Sequence, residues 1–152
     1  MAAAFEAEAG FAQRVSDSFA RQAVMATLGA RLESVDPGRV VITMVHRPEL
    51  TQQHGFLHAG IVSTALDSAC GYAAFSLMPA DAAVLTIEFK VNLLAPARGP
   101  DFRFEAEVTK AGRTISVVDG SAWQTDSSGQ PQRIATMTAT VMTVRGRDGL
   151  KH

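Results

Sequence analysis

Cysteine is almost absent from this chain, Cys70 being the only one, so an intramolecular disulfide cannot form and a disulfide-stapled secreted scaffold is excluded. Cys70 lies inside an apolar run and reads as a small buried hydrophobe in a reducing compartment, which fits the cytoplasm. An excess of charge is missing too, since 14 basic side chains meet 15 acidic ones. Neither a nucleic acid nor an anionic membrane surface is therefore the expected partner. No apolar stretch reaches the length that spans a bilayer. The segment Met1 to Gly10 carries Glu6 and Glu8 and lacks both a basic start and a long apolar run, so neither a signal peptide nor a membrane anchor is expected there. There is no His/Cys ligand cluster, no internal repeat and no low-complexity tract, and the expectation is a protein without a metal.

What the chain does have is apolar content, 47% of its 152 residues, enough for one domain with a real core, read as residues 1–152. Phe11, Val15, Phe19, Val24 and Leu28 recur at helical steps among Arg14, Asp17, Arg21 and Gln22, predicting an amphipathic helix over about 11–28 that Gly29 ends. Two short strand-like runs, Ala30 to Val35 and Val40 to Val45, flank Asp36-Pro37-Gly38-Arg39 and predict a hairpin. A loop from His46 to Leu57 then leads to a long helix from near His58 to about Leu77. Beyond Pro79 the period becomes two. Leu85, Ile87, Phe89, Val91 and Leu93 are expected on a core face, followed by Phe102, Phe104, Ala106 and Val108, and then by strands at Thr114 to Trp123 and Arg133 to Val144. Residues from about 146 to 152 look frayed. The sum is an α+β fold, one mostly antiparallel sheet against one apolar helix.

Chemistry concentrates between Gln52 and Asp67. On a helix starting at His58, the positions Gly60, Ser63, Thr64, Asp67, Ser68 and Gly71 fall on one strip, while Ile61, Val62, Ala65, Leu66, Ala69, Cys70 and Ala73 cover the rest. A carboxylate in the middle of such a seam must be paired or hydrogen-bonded, or its pKa rises. Asp67 could still be a cap or ion-pair partner, and His58 a hydrogen-bonding helix end. His54 reads as a loop residue. Ser63, Thr64 and Cys70 lack the spaced His and Asp partners that a nucleophile requires, and helix packing accounts for them better.

Gln52, Gly55, His58, Ala59, Gly60 and Asp67 together resemble the Asn/Gln-x-x-Gly-x-x-His-Gly-Gly-x6-Asp/Glu pattern of hotdog-fold thioesterases, most closely the phenylacetate-pathway-like (PaaI-like) family. The strand Thr86-x-Glu88-x-Lys90-x-Asn92, the stretch Leu94-Ala95-Pro96-Ala97 and Gly112-Arg113-Thr114 extend the likeness over roughly Leu28 to Val144. Ala59 departs from the family, which usually has Gly there, a change of little weight if the backbone N–H does the work.

The resemblance implies a sheet wrapped around one long central helix and a cofactor-free acyl-CoA thioesterase acting on an aryl- or medium-chain acyl group, coenzyme A being part of the substrate. It implies Asp67 as general base or nucleophile, Ala59 N–H as oxyanion donor, Gln52 as the amide that binds the carbonyl or positions water, His58 as an orienting residue and Thr86 as an assistant to water. Gly55 and Gly60 would shape the substrate site. Lys90, Arg98, Lys110 and Arg113 are candidate cations for the CoA phosphates, Arg113 foremost and Lys90 with it. Ala59 and Asp67 lie about 12 Å apart along a helix rising 1.5 Å per residue, so a homo-oligomer, dimer or dimer of dimers, would have to share its sites between subunits. Two other readings stand beside this one: a non-catalytic acyl-CoA binding protein, and a hotdog hydratase or dehydratase, whose Gly-Asp-x-Asn-Pro-x-His type signature is missing here.

Overall fold

The structure, a computed structural model, describes residues 5–150. The N-terminal apolar periodicity forms helix in two pieces, α1 over Phe11–Arg21 and α2 over Ala23–Leu28. One continuous helix over 11–28 is thereby corrected at Gln22, whose backbone is extended (φ −78°, ψ 98°). No Gly or Pro marks the break. A tertiary contact accompanies it: Gln22 Oε1 accepts a hydrogen bond of 3.0 Å from Ser68 Oγ, a partner distant in sequence and invisible to periodicity.

The hairpin forms as expected, β1 at Arg31–Asp36 and β2 at Arg39–Val45, with Gly38 supplying the positive φ of 76° that its turn requires. A single 3-10 turn at Pro48–Leu50 precedes the long helix α3, Ala59–Phe75. The remaining strands are β3 (Ala83–Leu93), β4 (Asp101–Lys110), β5 (Ile115–Thr125) and β6 (Pro131–Val144). They complete a six-stranded sheet in the order β1-β2-β4-β5-β6-β3, antiparallel at every pairing. Of the C-terminal stretch expected to fray, residues 145–150 form no helix or strand, and 151–152 lie outside the described residues.

The helix α3 lies against one face of this sheet, in contact with β2 through β6, and that face is the core. Val62, Ala65, Leu66, Ala69, Cys70, Ala73 and Phe75 are buried against Ile42, Phe104, Val118, Ala122, Met137 and Ala139. Alanines along α3 bring the helix axis close to the strands, and Gly120 of β5 sits at the tightest point. A Cβ at Gly120 would lie 3.0 Å from Cys70 Sγ and 3.2 Å from a Leu66 methyl carbon.

β3 departs from the alternation read in the sequence. Its register against β6 slips between Thr86 and Glu88, leaving Ile87 as the extra residue of a bulge. Thr86, Phe89 and Val91 therefore stand opposite Val141, Ala139 and Met137, which are buried toward α3. Leu85 pairs instead with Met142. Since β3 is also the sheet edge, the apolar residues expected in the core are largely uncovered: Ile87 is 52%, Phe89 43% and Leu93 56% exposed.

The close approach at Gly120 yields a test. Gly120→Val should overpack the helix-sheet contact and cost about 1–3 kcal/mol of stability, seen as an earlier midpoint in chemical denaturation. A midpoint equal to wild type would show that α3 has room to move away.

Candidate active site

The helix start is built by His58. Its backbone is extended, and its Nδ1 accepts the Gly60 N–H at 2.9 Å. An accepting Nδ1 places the proton of the neutral ring on Nε2. The His58 carbonyl accepts from Ile61 N–H at 2.9 Å and from Val62 N–H at 3.2 Å. Of the four amides that any helix leaves without an intrahelical partner at its N-terminus, here those of residues 58 to 61, three are satisfied. His58 N–H is taken by the Leu50 carbonyl at 3.0 Å and those of Gly60 and Ile61 by His58 itself, the Val62 bond being the first of the helix ladder. Among the described residues nothing accepts from the fourth, the Ala59 N–H. Ala59 is exposed, so its methyl group does not displace a neighbour.

The preceding loop is held by Gln52. Its N–H donates to the Phe56 carbonyl at 2.9 Å and its carbonyl accepts from Gly55 N–H at 3.0 Å, and Gly55 takes a φ of 84° there. The Gln52 side-chain Oε1 accepts from His54 N–H, and its Nε2 has no hydrogen-bond partner among the described residues. A pocket of about 400 Å³ opens beside it, lined by Gln52, Phe56, Ala59 and Val62 and by Leu93 to Ala97. The Arg98 guanidinium lies 4.8 Å from the Phe56 ring centroid at this end of the molecule.

Asp67 sits two turns further along α3, half-buried, and its Oδ1 accepts a 2.7 Å hydrogen bond from Thr86 Oγ1. The β3 bulge, by turning Thr86 toward the helix, makes this pairing possible. Asp67 and Thr86 line a second pocket of about 280 Å³ with Gln22, Ser68, Gly71, Tyr72, Val84 and Leu85. Gln22 contributes a polar group that sequence reasoning assigned no role in this site; Tyr72 lines it too, its hydroxyl 3.2 Å from Ser18 Oγ of α1, and burial pushes its pKa up. The signal for Gln22 would have been a break in α1, which no residue announces.

Within one chain, then, the expected site residues fall into two groups. Gln52, Gly55, His58, Ala59 and Gly60 gather at the start of α3, Asp67 and Thr86 at its middle; Gln52 and Ala59 open on one pocket, Asp67 and Thr86 on another, and His58 and Gly60 border a third beside Leu50 and Thr64. Arg113 lies elsewhere, with Arg145 in a cleft of about 360 Å³ beside Ala74 and Leu77 near the far end of α3. Lys90 stands opposite Thr138, on the sheet face turned away from the helix. The hydroxyls set aside as nucleophiles bond back to their own helix, Ser63 Oγ to the Ala59 carbonyl and Thr64 Oγ1 to the Gly60 carbonyl, both at 2.8 Å. Among the described residues no group of three His, Cys, Asp or Glu side chains could hold a metal ion, and no helix is long and apolar enough to cross a membrane.

Comparison with known proteins bears on this arrangement. The thioesterase superfamily model matches residues 54–129, half of the chain and the stretch that carries Ala59, Asp67 and Thr86. The chain belongs to the thioesterase superfamily. A crystal structure of a thioesterase family protein from Silicibacter pomeroyi superposes with a TM-score of 0.88 at 63% identity, covering 90% of this chain and 100% of that one. A phenylacetic acid degradation-related protein from Ralstonia eutropha, described as a candidate thioesterase, superposes with a TM-score of 0.76 at 25% identity over 87% of this chain and 98% of that one. A candidate esterase from Saccharolobus solfataricus is 34% identical over 92 residues, 60% of this chain, which spans 65% of that protein's length. These findings establish the hotdog, PaaI-like resemblance and its fold.

Cys70 supplies the prediction here. Burial above all, and then the nearby Asp67 and Asp119 charges, push its thiol pKa far upward, so the thiolate that reacts with disulfide reagents is scarce at any ordinary pH. Native protein at pH 8 should leave an aromatic disulfide reagent unconsumed, and one thiol per chain should react on denaturation. Rapid reaction in the native state would return Cys70 to the list of nucleophiles.

Proposed function

We propose that this protein is a cytoplasmic, cofactor-free acyl-CoA thioesterase whose active sites form between two copies of the chain, with an aryl- or medium-chain acyl group as substrate. One observation carries the reading: the two halves of the site lie at opposite ends of a single exposed edge strand. Val84, Leu85 and Thr86 at the start of β3 border the Asp67 pocket, and Leu93 at its end borders the pocket of Gln52 and Ala59. An uncovered apolar edge strand is a template for another strand. If β3 pairs with its own copy about a two-fold axis near Phe89, Leu85 comes opposite the second copy's Leu93. The Asp67 pocket of one subunit then adjoins the Gln52 and Ala59 pocket of the other, twice over.

In such a site the thioester carbonyl oxygen takes its hydrogen bonds from the Ala59 N–H and the Gln52 Nε2 of one subunit. The free amide at the positive end of α3 stabilises the oxyanion as the carbonyl carbon becomes tetrahedral. Asp67 of the other subunit, oriented by the Thr86 hydroxyl, either takes a proton from the attacking water or attacks the carbonyl itself. With Asp67 as base, the C–S bond breaks as the proton taken from water passes to sulfur, and the acid and CoA thiol leave. With Asp67 as nucleophile, CoA leaves first and water then hydrolyses the acyl–Asp67 anhydride, releasing the acid, regenerating the carboxylate and supplying the proton for sulfur. His58 works through the turn it caps. Of the candidate cations for the CoA phosphates, Arg98 lies over Phe56 at the pocket, with Arg113 and Lys90 as cations further from it.

Release of free thiol from a panel of acyl-CoA esters tests the activity; binding without thiol release would favour a non-catalytic acyl-CoA binder. Asp67→Asn should lower kcat by roughly 10²- to 10⁴-fold, with KM much less affected. A loss of thermal stability alone, with kcat preserved, would make Asp67 structural. Sharing of sites has a separate check. Inactive Asp67→Ala chains mixed with inactive Gln52→Ala chains should regain up to about a quarter of wild-type activity, because half the randomly assembled dimers carry one intact site of two. No recovery after demonstrated subunit exchange would rule the shared site out.

A further inference from the structure

We infer that Gln124, a buried residue of β5, is a positioning residue that fixes the helix-start half of the site through the loop after β3. The inference rests on the proposed thioester chemistry. Gln124 is only 5% exposed, and every hydrogen-bonding position of its amide is used. Its Oε1 accepts from Arg98 N–H at 2.8 Å and from Gly99 N–H at 3.0 Å. Its Nε2 donates to the Pro96 carbonyl at 3.1 Å and to Gln132 Oε1 at 2.8 Å. A glutamine amide has two donors and one two-acceptor oxygen, so the side chain is saturated.

Three of these four bonds go to the backbone of one loop. That loop contains Pro96 and Pro100, which have no N–H, and it cannot form a strand ladder of its own. Gln124 supplies from inside the core the hydrogen bonds that a neighbouring strand would otherwise give.

The loop in turn holds the site. The Ala97 carbonyl, between the two clamped stretches, accepts the Leu57 N–H at 3.0 Å. The next residue, Arg98, lays its guanidinium over Phe56 at 4.8 Å. Phe56 and Leu57 immediately precede the His58 cap and the free Ala59 N–H, and Ala95, Pro96 and Ala97 share the pocket of Gln52 and Ala59. The connection from Gln124 to the oxyanion donor is thus continuous: amide to loop backbone, Ala97 carbonyl to Leu57, Leu57 to the first turn of α3. Gln124 touches no substrate in this arrangement. It holds the carbonyl-binding groups where a displacement of about 1 Å costs on the order of 10²-fold in rate.

The test compares Gln124→Leu with wild type in the full-length protein, reading acyl-CoA hydrolysis together with amide hydrogen exchange. The expected result is a kcat loss of roughly 10- to 100-fold, a smaller change in KM, and faster exchange at the hydrogen-bonded amides of Leu57 and Gly60 while the β1-β2 hairpin keeps its protection. Gly38→Ala, strained at a positive φ and far from the loop, serves as a control that loses stability without losing kcat.

Unchanged exchange from Phe56 to Gly60 in folded Gln124→Leu overturns the proposal, as does an equal kcat loss in Gly38→Ala. Should Gln124→Leu not fold, Gln132→Leu removes a single bond from the exposed side, and faster exchange at Leu57 is expected at nearly wild-type thermal stability; no change there also overturns the proposal. A wild-type protein inactive on every acyl-CoA would refute the thioesterase reading by itself, leaving exchange at Leu57 and Gly60 to decide whether Gln124 anchors the helix start.

Discussion

A helix that is apolar everywhere except along one strip must be enclosed, and the enclosure of α3 governs the rest of this molecule. The small side chains of Ala65, Ala69 and Ala73 let the helix lie close to the strands, and Gly120 gives up its side chain altogether at the nearest approach. An antiparallel sheet of six strands supplies the apolar face. Once the helix is fixed, the direction of its polar strip is fixed as well. Asp67 faces the β3 side, where Thr86 meets it, and the strip's Ser68 turns to Gln22.

The edge strand β3 shows a local irregularity with a long reach. Without the bulge at Ile87, Thr86 and Phe89 would lie on opposite faces of the strand, and Asp67 would have no hydroxyl partner from it. With the bulge both face the helix. The same strand leaves Ile87, Phe89 and Leu93 uncovered, which is costly in water unless another surface meets them. The Asp67–Thr86 contact and the uncovered apolar surface are in this way built into one strand, and a change in one bears on the other.

Polar satisfaction follows a consistent plan around the helix start. His58 takes one orphan amide with its ring and another with its carbonyl, and its own N–H goes to the Leu50 carbonyl, leaving a single N–H open toward a pocket. Behind it the saturated amide of Gln124 holds a proline-bearing loop. Satisfying every neighbouring group while leaving one donor free is how a helix N-terminus becomes directional enough to act on one oxygen atom.

Much of this was legible in the amino-acid order because it rests on local rules. The period-two pattern of β4, the Pro37-Gly38 turn and the apolar surround of α3 each follow from what a residue's near neighbours allow, and the spacing of Gln52, His58, Ala59 and Asp67 is a property of the chain itself. The break at Gln22, the bulge at Ile87 and the clamp at Gln124 were not legible. Each depends on a partner far away in sequence: Ser68 46 residues from Gln22, the β6 strand for Ile87, and Arg98 26 residues from Gln124. The sequence by itself determined which residues could form a carboxylate and oxyanion-donor pair and that one helix would carry both. Only the tertiary structure decided that the two open on separate pockets, because the burial of α3 and the register of β3, not the order of residues, set which way each group faces.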